Sequence, residues 1–297
     1  MYRRDFMKAS LLWGTGYLIG GKPLSLFAAQ PEAVWVTGGE PLALLEAAMG
    51  AFGGIKNFIS KGDQVVIKPN IGWDRKPEQA ANTNPQLVAE VVKMCYDAGA
   101  AKVRLFDRTC NNPQRCYKNS QIETLAKNSG AEVEQIRDFK FKGYSLPEGK
   151  ILKEWPIYKD YLDADKVINI PIAKHHSMSR VSLGLKNLMG IMGGNRGLLH
   201  NNFTQKINDI CAQILPTLTI IDAYRILLRN GPSGGNINDV RVEKTLIMSP
   251  CTVTTDFLAL NLFDLTVTEV PHVKEAIQRG LNKFDLNKLD IKKIDLS

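Results

Sequence analysis

Long hydrophobic runs are nearly absent from this 297-residue chain. Beyond a short apolar stretch near the start, no segment approaches the ~20 apolar residues that a membrane-spanning helix needs, so no permanent membrane span is expected. Cysteine is sparse, with five residues and no Cys-x-x-Cys spacing, which argues against an iron–sulfur motif or a structural zinc ribbon. Histidine numbers only four. No lysine or arginine block is dense enough for a nucleic-acid footprint. No Ser/Pro-rich linker or low-complexity tract interrupts the chain. Glycine motifs of the Walker A and Rossmann types are missing. Ser177 and Ser179 lack the glycine-flanked setting of a hydrolase nucleophile.

What is present begins with Arg3-Arg4-Asp5-Phe6-Met7-Lys8, which is similar to the twin-arginine export consensus. The run Ala9 to Gly21 behind it is short and glycine-rich, as a removable leader is. Residues 1–29 are therefore expected to be a twin-arginine signal peptide, with the mature chain starting near Ala29 or Gln30. An ordinary basic amphipathic N-terminus is the alternative. The twin-arginine export machinery becomes an expected partner and the periplasm the expected location. Arg3, Arg4, Lys8 and Lys22 against Asp5 carry three of the eight net positive charges. The remainder is mildly basic, suited to a cleft for an anionic small molecule.

Past residue 29, apolar strand-like runs alternate with amphipathic helical segments, the pattern of an α/β three-layer sandwich with a mainly parallel sheet flanked by helices. Residues 30–297 are expected to form a single α/β domain. Helices are predicted from Pro41, from Pro85 with Asn84 as cap, from Ser120 with Glu123 completing a capping box, from Thr204, from Thr254 or Thr255, and from Pro271. Strands are predicted over 64–68, 102–107, 132–136, 166–170, 218–222 and 242–248. A faint echo over 284–297 predicts either a packed edge segment or a tail.

Several predicted strands end in polar residues: Lys68-Pro69-Asn70, Asp107-Arg108, Lys174-His175-His176 and Asp222. Open parallel sheets bind ligands beyond the carboxyl ends of their strands, so these groups are expected to share one edge.

From Asp63 onward the chain resembles the family catalogued as domain of unknown function 362. The resemblance rests on Val65-Val66-Ile67-Lys68-Pro69-Asn70, Thr83-Asn84-Pro85, Ala164 to Pro171, Lys174-His175-His176, Leu183 to Gly190, Ile221-Asp222-Ala223 and Gly231 to Gly235. It covers roughly residues 60–265. It implies an α/β fold and, through members that carry a ferredoxin segment absent here, a redox setting with a possible redox partner protein.

Lys68 at a strand end is a point charge for phosphate or carboxylate, a base or Schiff-base amine, or a solvated lysine. His176 reads as acid, base or metal ligand, or as a satisfied loop histidine. The segment Ser182 to Gly197 is rich in glycine and brings Lys186, Asn187, Asn195 and Arg196, a composition that cradles anions or forms a mobile loop. Asp107, Asp222 and Asp256 offer oxygen ligands to a metal or orient the basic groups, and a first-turn position in a helix explains Asp256 without function. Cys110 and Cys116 are near enough in sequence for a local disulfide. Cys95 and Cys211 read as core thiols.

The leading expectation is a protein, with enzyme status open, that holds an anionic small molecule or cofactor. Lys68 and Lys186 would bind the anion, Asn70 and Asn187 would orient it, Asn195 and Arg196 would add hydrogen bonds and charge, and His176 with Asp222 would provide proton transfer or metal ligation, with Lys68 as a further catalytic candidate. The identity of the cofactor stays unknown. The alternatives are a non-catalytic periplasmic binding or accessory protein, and a metalloenzyme using His176, His200 and Asp222.

Overall fold

The structure is a computed structural model that describes residues 30–297; the expected leader at 1–29 lies outside them. The central sheet contains β1 (Ala33–Thr37), β2 (Gln64–Pro69), β3 (Lys102–Leu105), β4 (Glu132–Val133), β7 (Lys166–Ile170), β8 (Ile172–His176), β9 (Arg180–Ser182), β10 (Leu218–Leu227), β11 (Val240–Ser249) and β12 (Ile291–Asp295). Its order is β12-β1-β11-β10-β7-β2-β3-β4, with β8 on β10 and β9 on β8. The run from β10 through β7, β2 and β3 to β4 is parallel, whereas β11 is antiparallel to both its neighbours. A small hairpin, β5 (Phe141–Ser145) and β6 (Glu154–Tyr158), stands apart.

Strand pleating sorts the core into two faces. On β2, Val65 and Ile67 join a cluster with α1 (Pro41–Ala51), α2 (Pro85–Asp97), α3 (Pro113–Asn119) and α4 (Ile122–Asn128). Val66, between them, faces the opposite cluster, built with α5 (Lys159–Leu162), α6 (Gly184–Asn187), α7 (Phe203–Ile214), α8 (Thr252–Ala259) and α9 (Pro271–Gln278). Val167 and Ile168 on β7 divide the same way. Helices therefore cover both sides of a mainly parallel sheet, the expected α/β sandwich.

Asn84 caps α2, its Oδ1 accepting from Gln86 N at 2.9 Å. The Ser120–Glu123 capping box does not form. Ser120 instead closes α3, and Gln121, at φ 62°, turns the chain into α4; Glu123 pairs with Lys127 one turn on. Of the two readings for the C-terminus, the structure has the edge segment: β12 pairs in parallel with β1.

No helix among the described residues is long and apolar enough to cross a membrane.

Candidate functional site

The parallel strands β2, β3 and β7 run toward one edge, and β8 continues from β7 past Pro171. Beyond their carboxyl ends lies a cleft of about 380 Å³. Asn70 and Asp107 enter from the ends of β2 and β3, and Lys174 and His176 from β8. Ser182, Lys186 and Asn187 enter from β9 and α6, Arg196 from the end of the glycine-rich segment and His200 from just beyond it. Arg108, Thr109 and Cys110 form another wall, with Trp73, Met189 and Pro232 as apolar surface.

A directional chain of amides sets the floor. Lys174 Nζ donates to Asn70 Oδ1 (3.1 Å) and to Ala81 O (2.6 Å). Asn70 Nδ2 donates to Asn187 Oδ1 (3.0 Å), and Asn187 Nδ2 to Lys68 O (3.1 Å) and Asn169 Oδ1 (2.8 Å). Asn169 Nδ2 ends the chain on Gly184 O (3.0 Å). Because each amide donates one way and accepts the other, none can flip without stranding a buried partner. Asn70 Oδ1 is thereby held toward Lys174.

Asp256 supports this floor from behind. Its carboxylate accepts from Gly184 N (2.6 Å) and Leu185 N (2.9 Å), the first amides of the turn that carries Lys186 and Asn187. A side chain at Gly184 would bring its Cβ to 2.7 Å from Asp256 Oδ1 and 2.6 Å from Thr252 Cγ2, so glycine is what permits the approach.

The cleft is electropositive and short of counter-charge. Lys186 is 7% exposed; its Nζ reaches Met189 Sδ at 3.3 Å and sits 4.4 Å over the Phe203 ring. Among the described residues, neither Lys174 nor Lys186 has a carboxylate partner. Burial outweighs the attraction of nearby Cys110 and Asp107 and, with repulsion from Lys186 and Lys68 added, pulls the Lys174 ammonium down to about 7. Burial lowers Lys186 to about 8. His176 Nδ1 accepts from Met178 N (3.1 Å) and Ser179 N (3.4 Å), and burial beside Lys186 and Lys174 pushes it down to about 3. The ring is neutral, and the hydrogen-bond pattern assigns its proton to Nε2, on the free side.

Two arginines tie the walls together. Arg108 Nη1 donates to Met192 O and Gly194 O, both at 3.0 Å, while Arg196 donates back to Arg108 O and Thr109 O, again at 3.0 Å. Arg196 lines the cleft, but its fork is occupied in holding this corner.

Several predicted site residues lie elsewhere. Lys68 is fully buried, does not line the cleft, and donates to Asp107 Oδ1 (2.8 Å) and Pro69 O (2.7 Å). It is the foundation of the β2–β3 edge instead of its surface. Asp222 is also buried away from the cleft; it accepts from Asn84 N (2.7 Å) and Tyr224 N (3.2 Å), so it does not meet His176. Asn195 caps Gly197 N (3.0 Å) outside the lining. No group of three or more His, Cys, Asp or Glu side chains among the described residues is gathered to hold a metal ion, so the set His176, His200 and Asp222 is not assembled.

The predicted Cys110–Cys116 bridge is not formed. Both thiols are free; Cys110 is exposed on the cleft wall, whereas α3 buries Cys116 with its Sγ 3.8 Å from Gly72 O. Cys110 lies before α3, which carries Cys116 into the core. Cys95 and Cys211 are core thiols, as expected.

A family model described as domain of unknown function (DUF362) matches residues 65–261. The chain belongs to this family. A thylakoid-associated protein of Synechocystis sp. is 26% identical over 252 residues, covering 82% of this chain and 76% of the relative. Among solved structures, the lactate racemase apoprotein from Thermoanaerobacterium thermosaccharolyticum aligns with a TM-score of 0.50 at 11% identity over 81% of this chain. A Thermotoga maritima protein aligns with a TM-score of 0.46 at 10% identity over 76%. The chain spans 58% and 59% of those two proteins. At such identity the racemase likeness concerns fold alone; the DUF362 chain shares its α/β architecture.

Proposed function

We propose that this DUF362 protein binds a small anionic molecule in the cleft at the carboxyl ends of β2, β3, β7 and β8. The observation that carries the reading is that Lys174 and Lys186 are both buried at the cleft without a carboxylate. A buried cation lacking a counter-ion is costly. An anion beside Lys186 removes that cost there and holds the Lys186 ammonium in its charged form. Lys186, the second Nδ2 hydrogen of Asn70 and the Nε2–H of His176 supply the donors, Asn187 holds Asn70 in place, and Arg196 with Arg108 fixes the wall.

The Arg3-Arg4 motif supports export of the folded chain to the periplasm by the twin-arginine machinery. Replacing both arginines by lysine is expected to retain the protein in the cytoplasm; normal export of that variant would end this part of the reading.

Titration calorimetry of the purified chain with inorganic phosphate and with oxalate tests the anion site. Binding weakened at least about tenfold by Lys186→Met is expected, in line with a lost charge-assisted contact of ~1.5–3 kcal/mol. Unchanged affinity in Lys186→Met would overturn the reading.

A further inference from the structure

Resting on that reading, we infer that Lys174 is a nucleophile, and that the cleft takes an anionic carbonyl compound whose carbonyl carbon condenses with the Lys174 amine to a Schiff base. The argument starts from valence. Beyond Cε, the Lys174 nitrogen has three tetrahedral positions. Asn70 Oδ1 and Ala81 O take two of them as acceptors, and no third acceptor is found among the described residues. The two hydrogens of a neutral amine suffice for both contacts, which leaves the remaining tetrahedral position for its lone pair, and Lys174 lines the cleft.

The amide chain makes this arrangement rigid. Asn70 cannot rotate its oxygen away, because its Nδ2 is engaged by Asn187, which is itself fixed on Asn169 and on the β2 backbone. Burial supports the same state, since a 1% exposed amine without a counter-ion holds its proton weakly. Lys68 is the control within the same structure: equally buried, it is paired with Asp107 at 2.8 Å and turned away from the cleft.

The surrounding groups define the ligand. Lys186 supplies a charge for a carboxylate or phosphate, and His176 presents one N–H, suited to a carbonyl oxygen. A small 2-oxo acid carries both functions on adjacent carbons. In the condensation, the nitrogen lone pair forms the N–C bond and the C–O bond breaks. The oxygen leaves as water with one hydrogen from the amine and one proton from the Lys186 ammonium. The remaining N–H of the cationic imine keeps its hydrogen bond to Ala81 O.

The test is reductive trapping. The purified chain is incubated with pyruvate and sodium cyanoborohydride at pH 7, and the modified lysines are mapped by peptide mass spectrometry. Modification of Lys174 at least about tenfold faster than any exposed lysine is expected, because an ordinary lysine is almost wholly protonated at that pH, and oxalate is expected to slow it. Labelling confined to exposed lysines would overturn the inference, and since the map is read on the unaltered chain, no variant need fold. Calorimetry with oxalate separates the two levels. Oxalate binding without trapping at Lys174 removes the Schiff base and leaves the anion site; neither binding nor trapping removes both.

Discussion

Lys68 and Asp107 form a buried ion pair, 2.8 Å from Nζ to Oδ1, that joins the carboxyl ends of the neighbouring parallel strands β2 and β3, with Asp107 on the cleft lining and Lys68 behind it. Asp107 also accepts from Ile71 N at 2.5 Å, which anchors the segment leading to Trp73. Removing one partner leaves an uncompensated charge in a dry environment, at a cost of about 3–5 kcal/mol. Lys68→Met is therefore expected to lower unfolding stability by that amount, and Lys68→Met with Asp107→Asn to recover part of it. Urea denaturation of the three proteins checks this; an equal loss in single and double variants would show that the pair is not coupled.

The same pair explains one glycine. A Cβ at Gly190 would lie 1.7 Å from Asp107 Oδ1 and 2.6 Å from Lys68 Nζ. Gly190→Ala is expected to break the ion pair and lower stability by more than about 3 kcal/mol. A thermal melt within about a degree of the original would refute this packing.

Lys174 makes stability depend on pH. Its folded value, about 7, lies below the ordinary 10.5, so between these limits the unfolded chain binds more protons and stability rises with pH, by at most about 1.4 kcal/mol per pH unit for this one group. Below pH 7 both states are protonated and the penalty is constant. Lys174→Met is expected to flatten the rise between pH 7 and 10, measured by denaturation at each pH. An identical profile in the variant would exclude the assignment.

Anion binding has the opposite slope. Lys186, lowered to about 8, must be charged to hold the ligand, so oxalate affinity is expected to be highest below pH 7 and to fall toward tenfold per unit above 8. Trapping by pyruvate at Lys174, which needs the neutral amine, is expected to accelerate from pH 6 to 8. Two calorimetric and labelling series across pH 6–9 read both trends, and parallel slopes would contradict the division of roles.

Of the five cysteines, Cys110 alone is exposed, and it faces the cleft. One thiol is expected to react rapidly with iodoacetamide under native conditions, and bound oxalate is expected to shield it. Rapid labelling of two or more thiols, or of none, would count against this arrangement.

Asp256 adds a structural prediction. Asp256→Ala strands the Gly184 and Leu185 amides, and a loss of about 2–4 kcal/mol is expected, with Asp256→Asn less damaging because it retains one acceptor. The melting temperatures of the two variants test the order.

The α/β layering was legible in the chain because it is encoded locally. Val65, Val66 and Ile67 alternate between two cores, Asn84-Pro85 starts a helix through its own side chain, and the polar residues after β2, β3 and β7 follow the strands they terminate. The cleft residues Asn70, His176, Lys186, Asn187 and Arg196 were legible for the same reason, lying beside strand ends or in an unusual glycine-rich segment. Partnership was not legible. Nothing near Lys68 in sequence announces Asp107, 39 positions away, and nothing near Lys174 announces that its acceptors come from Asn70 and Ala81. Charge, burial and hydrogen-bond direction depend on which segments meet across the sheet, so tertiary structure alone decided that Lys68 is a buried strut, that Asp222 and Asn195 stay outside the cleft, and that Lys174 stands in it without a counter-ion.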